Sequence, residues 1–463
     1  MHRSLALASS AVFLAACGGS SGGTDDSALV QEAQALRQEM LAAGMEPVSD
    51  PPPVSDELFR LGQALFFDKL LSGSEDVSCA TCHLPQFGTG DGRTLSDGVR
   101  GHGLGPDRIG GVMIPRNSPP LFALHERDSF FWDGRMRRVG GLLLLPDAVF
   151  LPPDHRSPFS PGLEAMAAQA MLPPVSREEM RGQAGDNDLG DLPDGYNSSG
   201  GSPEGTIDVW VTLADRLLSL PVYQQMFLEA YPGTLLTDFH FGHVGNALAA
   251  FEARAFARTD SPFDRFLRGD DRALSADELR GGREFLAAGC AECHHGPLLS
   301  DGQFHNTGLP QLGPGTSLSG FPNPFADLIV FGGGPDHGRE DATGRLEDRF
   351  RFRTASLLNV ELTGPWGHAG QFERLRDFVA HYEDPAASNL GYDVGSNVTD
   401  PRLVHMVVEN SAEVLSTLHP SLQGTRDIDL TAVVDFLKAL TADDAGDLDD
   451  VVPVAVPSGL PLF

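Results

Sequence analysis

Two pentapeptides of one pattern carry most of the chemistry legible in this chain: Cys79-Ala80-Thr81-Cys82-His83 and Cys290-Ala291-Glu292-Cys293-His294. Two thiols three positions apart can form thioethers to both vinyl groups of one porphyrin, and the imidazole that follows reaches the iron as its proximal ligand. The spacing predicts two covalently bound c-type haems, the first on Cys79 and Cys82 with His83, the second on Cys290 and Cys293 with His294. A zinc site made of two Cys-x-x-Cys pairs is the competing reading. Zinc, however, does not call for a histidine directly after each pair, and the pairs lie far apart in sequence. Of the chain's five cysteines only Cys17 falls outside these motifs, so no pair remains for a disulfide.

Cys17 has its own context. Met1-His2-Arg3 is a short basic start, Ser4 to Leu14 is apolar, and Leu14-Ala15-Ala16-Cys17 looks like the lipobox of a bacterial lipoprotein. This predicts a signal peptide over 1–17, lipid on Cys17, and a periplasmic protein anchored to the outer membrane. A soluble secreted protein cleaved nearby is the alternative. Residues 18–51, opening with the polar run Gly18 to Ser27, read as a flexible tether. No later apolar run reaches the roughly 18 residues that a membrane span requires.

The elements that must hold two haems follow from length and pattern. A chain of 463 residues fits two domains rather than one core. Ser55 reads as an N-cap, with Asp56 and Glu57 in the first turn and Leu58, Leu61, Leu65 and Phe66 at helical spacing ahead of the first haem motif. Ser275 and Glu278 form a capping box ahead of the second, in a helix ending at Gly289. Ile207 to Tyr231 and Val244 to Ala257 read as amphipathic helices. The fold class expected is mostly α, with two cytochrome c-like helical domains, each with one covalently bound haem c. The first domain spans 52–259, with a Pro-, Gly- and Asp-rich loop insertion over about 142–205; the second spans 260–446, and 447–463 is an extended acidic and proline-bearing tail. The net charge of -31 disfavours nucleic acid and anionic membrane as partners; it suits a basic electron donor, and plain solubility in an outer compartment is the alternative.

Over roughly 52–446 the chain resembles the bacterial di-haem cytochrome c peroxidases and their MauG-like relatives. The resemblance rests on an ordered series: Leu61-Gly62, Leu65-Phe66-Phe67-Asp68 and Leu71-Ser72-Gly73, then Pro115-Arg116-Asn117-Ser118-Pro119, Phe131-Trp132-Asp133-Gly134-Arg135, Arg353-Thr354 to Asn359, and Leu362-Thr363-Gly364-Pro365. It implies that the N-terminal haem meets hydrogen peroxide, that the C-terminal haem stores or delivers an electron, and that Trp132 connects them. Arg135 is a candidate partner of a haem propionate, and an ordinary salt bridge is the alternative.

Peroxide chemistry needs a group that takes a proton from one oxygen and returns it to the other. A Gln and a Glu ten residues apart line this pocket in the family, and Gln169 and Glu179 keep that spacing, with Glu178 as competitor for the acid–base role. His102, between two glycines, resembles a distal histidine that leaves the first iron on activation. At the second iron one branch of the family uses Met and the MauG-like branch uses Tyr. The matching helix places Tyr382 there, with adjacent His381 and the distant Met406 as alternatives. The family also holds one calcium ion between its domains through an Asn side chain and Thr and Pro carbonyls; Asn117, Thr363 and Pro365 match. Family members are often homodimers.

Three functions stay open on these residues. The first is peroxide reduction with electrons from a small cytochrome c or copper protein, which Glu179, Trp132 and His102 support. The second is MauG-like use of peroxide to oxidise residues of a partner protein, which Tyr382 supports. The third is a non-catalytic di-haem electron carrier.

Overall fold

The computed structural model describes residues 22–139, 142–144, 151–194, 203–316 and 334–463. In chain order the helices that build the sites are α1 (Gly22–Ala42), α2 (Asp56–Phe67), α3 (Cys79–Cys82), α4 (Glu164–Ala170), α5 (Pro203–Leu218), α6 (Pro221–Ala230), α7 (Phe241–Ala255), α8 (Ala276–Ala287), α9 (Leu375–His381) and α10 (Leu430–Lys438). Sheet is minor. Strands β1 (Ser129–Phe130), β2 (Met136–Val139) and β3 (Leu142–Leu144) form one antiparallel sheet, and β4 (Phe304–His305) pairs with β5 (Phe352–Arg353).

Local chemistry sets the helix starts. The Ser55 hydroxyl accepts from the Leu58 N–H at 3.2 Å, and Asp56 and Glu57 complement the helix dipole of α2. At α8 the Ser275 hydroxyl accepts from the Glu278 N–H (3.3 Å) while the Glu278 carboxylate accepts from the Ser275 N–H (2.6 Å). The chain leaves α8 through Gly289, whose φ of +78° suits glycine.

One packing device occurs twice. Where α2 crosses α7, a Cβ on Gly62 would lie 1.9 Å from the Ala247 carbonyl oxygen and 2.7 Å from Phe251 Cβ. Where α8 crosses α10, a Cβ on Gly281 would lie 2.0 Å from the Ala432 oxygen and 2.8 Å from Phe436 Cβ. Four residues after each glycine comes a phenylalanine that meets the partner helix: Phe66 lies 5.0 Å from Phe251, and Phe285 lies 5.1 Å from Phe436. Two copies of one glycine-enabled crossing, each just before a haem motif, are the cytochrome c-like repeat that the sequence predicts. The first core gathers α2, α4, α5, α6 and α7; the second gathers α1, α8 and α10 with part of α9.

Three expectations are corrected. The stretch 18–51 is not a tether throughout, because α1 buries Ala33, Leu36 and Met40 in the second core and pairs Arg37 with Asp271 (2.6 Å). Those apolar residues recur at helical spacing, and the surface they cover belongs to the domain encoded later in the chain. Nor is 447–463 an extended tail apart from the domains. Leu448, Val451 and Val456 are buried in the first core, and the Ser458 hydroxyl donates to Asp68 at 2.7 Å. The third correction concerns 142–205, which carries β3 and α4 rather than loop alone; a Cβ on Gly245 of α7 would sit 2.6 Å from Ala167 O, so small residues on both helices allow close approach. Residues 145–150 and 195–202 of that stretch lie outside the described residues, as do Cys17 and its lipobox. The helical reading of Ile207 to Tyr231 resolves into α5 and α6, separated at Pro221, which starts the second helix. Among the described residues no helix is long and apolar enough to cross a membrane.

Candidate haem sites and the groups around them

Helix α3 is a single turn that puts Cys79 and Cys82 on one side, closed by a Ser78–Thr81 capping box in which the Ser78 N–H donates to the Thr81 hydroxyl at 2.9 Å. His83 Nδ1 lies 2.9 Å from the Thr89 carbonyl oxygen. As Nδ1 donates there, Nε2 keeps its lone pair for a metal, and the ring orientation is fixed. The second site repeats this: the turn Cys290–Glu292 presents Cys290 and Cys293, and His294 Nδ1 lies 2.8 Å from the Leu299 carbonyl oxygen. Burial holds the His83 imidazolium down to about 4 and lowers His294 as well, so both rings are neutral and fit to coordinate. All four thiols are free of disulfides. The donor sets therefore fit two c-type haems.

Several groups converge on the first thioether cysteines. Burial pushes the Cys82 thiol up to about 12, with the negative charges of Asp91 and Glu179 adding to it; burial and then Glu252 raise Cys79. Glu179 sits on the π-type turn Arg177–Arg181, where the Ser176 hydroxyl accepts from its N–H at 3.3 Å. It is half-buried. Burial lifts its carboxyl to about 7, opposed by Arg135 and reinforced by Glu178. Glu178 itself is exposed and touches this region through its backbone oxygen, which accepts from Val99 N–H at 3.1 Å. Of the two glutamates, Glu179 is the one turned inward. Gln169, half-buried, comes from α4.

His102 is not brought to this pocket. Its backbone pairs with Ile109 in both directions at 2.9 Å and its side chain is exposed. The inside of the loop is filled by Arg108, which donates to the carbonyls of Asp97 (2.6 Å), Gly98 (2.7 Å) and Gly103 (3.2 Å).

Trp132 is 8% exposed and lies between the two domains. Its indole N–H donates to Asn117 O at 2.8 Å, and the Arg353 N–H donates to Trp132 O at 2.8 Å. Arg135 stacks on the Phe131 ring at 3.7 Å and donates to Asp133 at 3.0 Å, so a protein carboxylate already engages one edge of the guanidinium expected at a propionate. Asp133 also accepts from Arg116 (2.6 Å), which spans to Asp336 through two further bonds of 2.7 and 2.8 Å. These two arginines hold the Asp133 carboxyl far below the usual carboxylate range against the cost of its burial.

At the second site Tyr382 ends α9 beside the haem cysteines. Burial raises its hydroxyl strongly, and the Cys293 and Cys290 thiols add to the shift. The alternatives are otherwise engaged. His381 has Nδ1 2.9 Å from the Ser388 hydroxyl and Nε2 2.9 Å from the Thr307 carbonyl oxygen, and Met406 lies in a separate apolar cluster with Leu95 and Leu312. Cys293, Asp301 and His305 bring their ligand atoms within 4.8 Å of one another, but Cys293 belongs to the second haem motif, which leaves His305 paired with Asp301 at 2.8 Å.

Of the residues expected at calcium, Asn117 donates its amide to the carbonyls of Arg93 (3.0 Å) and Thr94 (3.2 Å), which leaves Oδ1 as its acceptor. Among the described residues the Thr363 and Pro365 carbonyls accept no hydrogen bond, and the Gly364–Pro365 peptide is cis. Sequence reasoning missed Glu252 and Asp91. Both are buried with an unpartnered oxygen, and burial raises them to about 8 and about 6. For Glu252 a signal existed: it is a lone acid in the apolar run of α7.

A family model described as di-haem cytochrome c peroxidase matches residues 56–272. The methylamine utilization protein MauG of Methylorubrum extorquens is 29% identical over 367 residues, covering 79% of each chain. The cytochrome c551 peroxidase of Pseudomonas aeruginosa is 30% identical over 328 residues, covering 71% of this chain and 72% of that one. Among solved structures, a MauG-like protein associated with microbial copper homeostasis superposes with a TM-score of 0.55 at 22% identity over 88% of this chain and 96% of its own, a likeness of fold. With the paired Cys-x-x-Cys-His sites and the repeated helix crossing, these matches place the chain in the di-haem cytochrome c peroxidase family, as an oxidoreductase that carries two c-type haems.

Proposed function

We propose that this protein reacts with hydrogen peroxide at the first haem site, with Glu179 as the acid–base group. The single observation that carries the reading is the inward Glu179 carboxyl, raised to about 7 beside Cys82. A carboxyl poised near neutral pH can take a proton from the near oxygen of peroxide and give it to the leaving oxygen. Gln169 helps to orient the substrate, and the haems, when bound, supply the redox chemistry. Trp132 links the two sites, and electrons come from a small basic redox protein drawn to the acidic surface. Calcium at Asn117, Thr363 and Pro365 ties the domains together, and the protein works in the periplasm on a lipid anchor at Cys17.

A second reading, oxidation of residues in a partner protein as its MauG relatives suggest, is favoured by Tyr382. A phenolate ligand stabilises ferric and higher states and makes the second haem a poor acceptor from ordinary cytochromes. Stopped-flow absorbance after peroxide is added to the diferric protein, and to the protein reduced by one electron, separates these. Rapid reaction of the diferric form to a long-lived product supports protein oxidation, and reaction only after reduction supports the cytochrome peroxidase. Silence in both leaves an electron carrier.

A further inference from the structure

Two arginines are buried at the domain boundary without an acid, among the described residues, to pair with. Arg127 is 6% exposed and Arg353 5% exposed. Among the described residues the Arg127 side chain makes no hydrogen bond, and its Nε is a buried donor without a partner. Among the described residues the Arg353 guanidinium donates only to the carbonyls of Phe131 (3.2 Å) and Thr354 (3.1 Å), with its guanidinium carbon 6.0 Å from the Trp132 ring. Burial, and then the charge of Arg353, depresses Arg127 far below the usual arginine value, and burial lowers Arg353 to about 10 against the pull of Asp133. The one carboxylate that acts on Arg353, Asp133, is already held by Arg116 and Arg135.

Leaving a guanidinium unpaired in a protein interior is strongly destabilising, and buried charges in native proteins are paired. Among the described residues no carboxylate supplies the missing anion. We propose that Arg127 and Arg353 together form one carboxylate site at the boundary, beside Trp132, and that its ligand is a propionate of a bound haem. This rests on the reading of the pentapeptides as haem sites. A planar guanidinium matches a carboxylate in bidentate fashion, and two of them hold one propionate while a positive charge remains close to the porphyrin. That charge opposes the ferric state, so the pair would raise the reduction potential of the haem it holds.

The test is a spectroscopic redox titration of the holoprotein, after haem content of the parent has been measured. A parent without two haems per chain overturns the cofactor reading itself. With both haems present, Arg127→Gln and Arg353→Gln are expected to shift the ferric–ferrous equilibrium of the same haem about tenfold toward ferric, about 59 mV for one electron. Arg127→Lys, which keeps the charge, is expected to restore most of that shift. Thermal melting adds a reading of opposite sign for the two cases. Arg127→Met lowers the melting temperature of the holoprotein if the arginine is paired, and raises it if the charge is buried alone. Unchanged potentials in both Gln variants, or a more stable Met variant, would overturn the proposal.

Discussion

The backbone N–H of Arg353, in the second domain, donates to the carbonyl oxygen of Trp132 in the first at 2.8 Å, while the indole N–H is spent on Asn117 O at the same distance. Both ends of the tryptophan are thereby fixed, one of them to the other domain. An indole held this way suits a fixed stepping point for an electron or hole between two sites. Trp132→Phe is expected to fold, losing about 1 kcal/mol for the missing hydrogen bond. Exchange of oxidising equivalents between the haems is expected to slow by about a hundredfold, about 2.7 kcal/mol of barrier. Freeze-quench spectroscopy after peroxide follows both haems separately, and parent-like exchange in the variant would exclude this role.

Glu179 predicts a pH dependence. Its folded value near 7 lies above that of a free carboxyl, so the group is protonated below neutrality and ionised above it. A base that must accept a proton works only when ionised. The second-order rate with peroxide should therefore fall as pH drops through about 7. Glu179→Gln should remove that step and reduce the rate by about 10²–10⁴-fold. Glu178→Gln, at an exposed position, should do neither. A parent-like rate in Glu179→Gln would transfer the role to another group, with buried Asp91 the first to try.

What could be read in the sequence was local. The caps at Ser55 and Ser275 and the Cys-x-x-Cys-His turns each depend on neighbours within one or two turns of chain. What escaped depends on partners that sequence distance hides. Residues 22–42 looked like spacer because α1 covers a surface made by α8 and α10, far downstream. The C-terminal end looked like an extended tail because the surface that Leu448, Val451 and Val456 cover, and the Arg258 that pairs with exposed Asp444 and Asp450 (2.7 Å each), belong to distant parts of the chain. Buried Arg127 resembles any surface arginine until its surroundings are known.

Tyr382 makes a prediction on the second haem. His381 has both nitrogens occupied by Ser388 and Thr307, so of these two neighbours the phenol is the one left to face Cys290 and Cys293. Tyr382→Met is expected to raise the potential of the second haem, since a thioether stabilises the ferrous state where a phenolate stabilises the ferric. The same variant should lose rapid reaction of the diferric protein with peroxide and regain it after one-electron reduction. Potentiometric titration checks the first part, and an unmoved potential would show that Tyr382 does not ligate the iron.

The two helix crossings predict a contrast between adjacent residues of α8. A Cβ on Gly281 meets the Ala432 backbone oxygen at 2.0 Å, and backbone in a packed crossing cannot step aside. A Cβ on Gly282 meets the Met40 methyl at 2.6 Å, the far end of a flexible side chain that can rotate away. Replacing a helical glycine by alanine gains about 1 kcal/mol of helix propensity at either position. Gly281→Ala should nonetheless destabilise by about 1–3 kcal/mol through overpacking, and Gly62→Ala should match it at the equivalent crossing of the first domain. Gly282→Ala should be neutral or slightly stabilising. Denaturant unfolding of the three holoproteins, followed by circular dichroism, measures these differences. Equal effects at 281 and 282 would mean that α8 and α10 are not in backbone contact and that the repeated crossing does not hold the haem domains together.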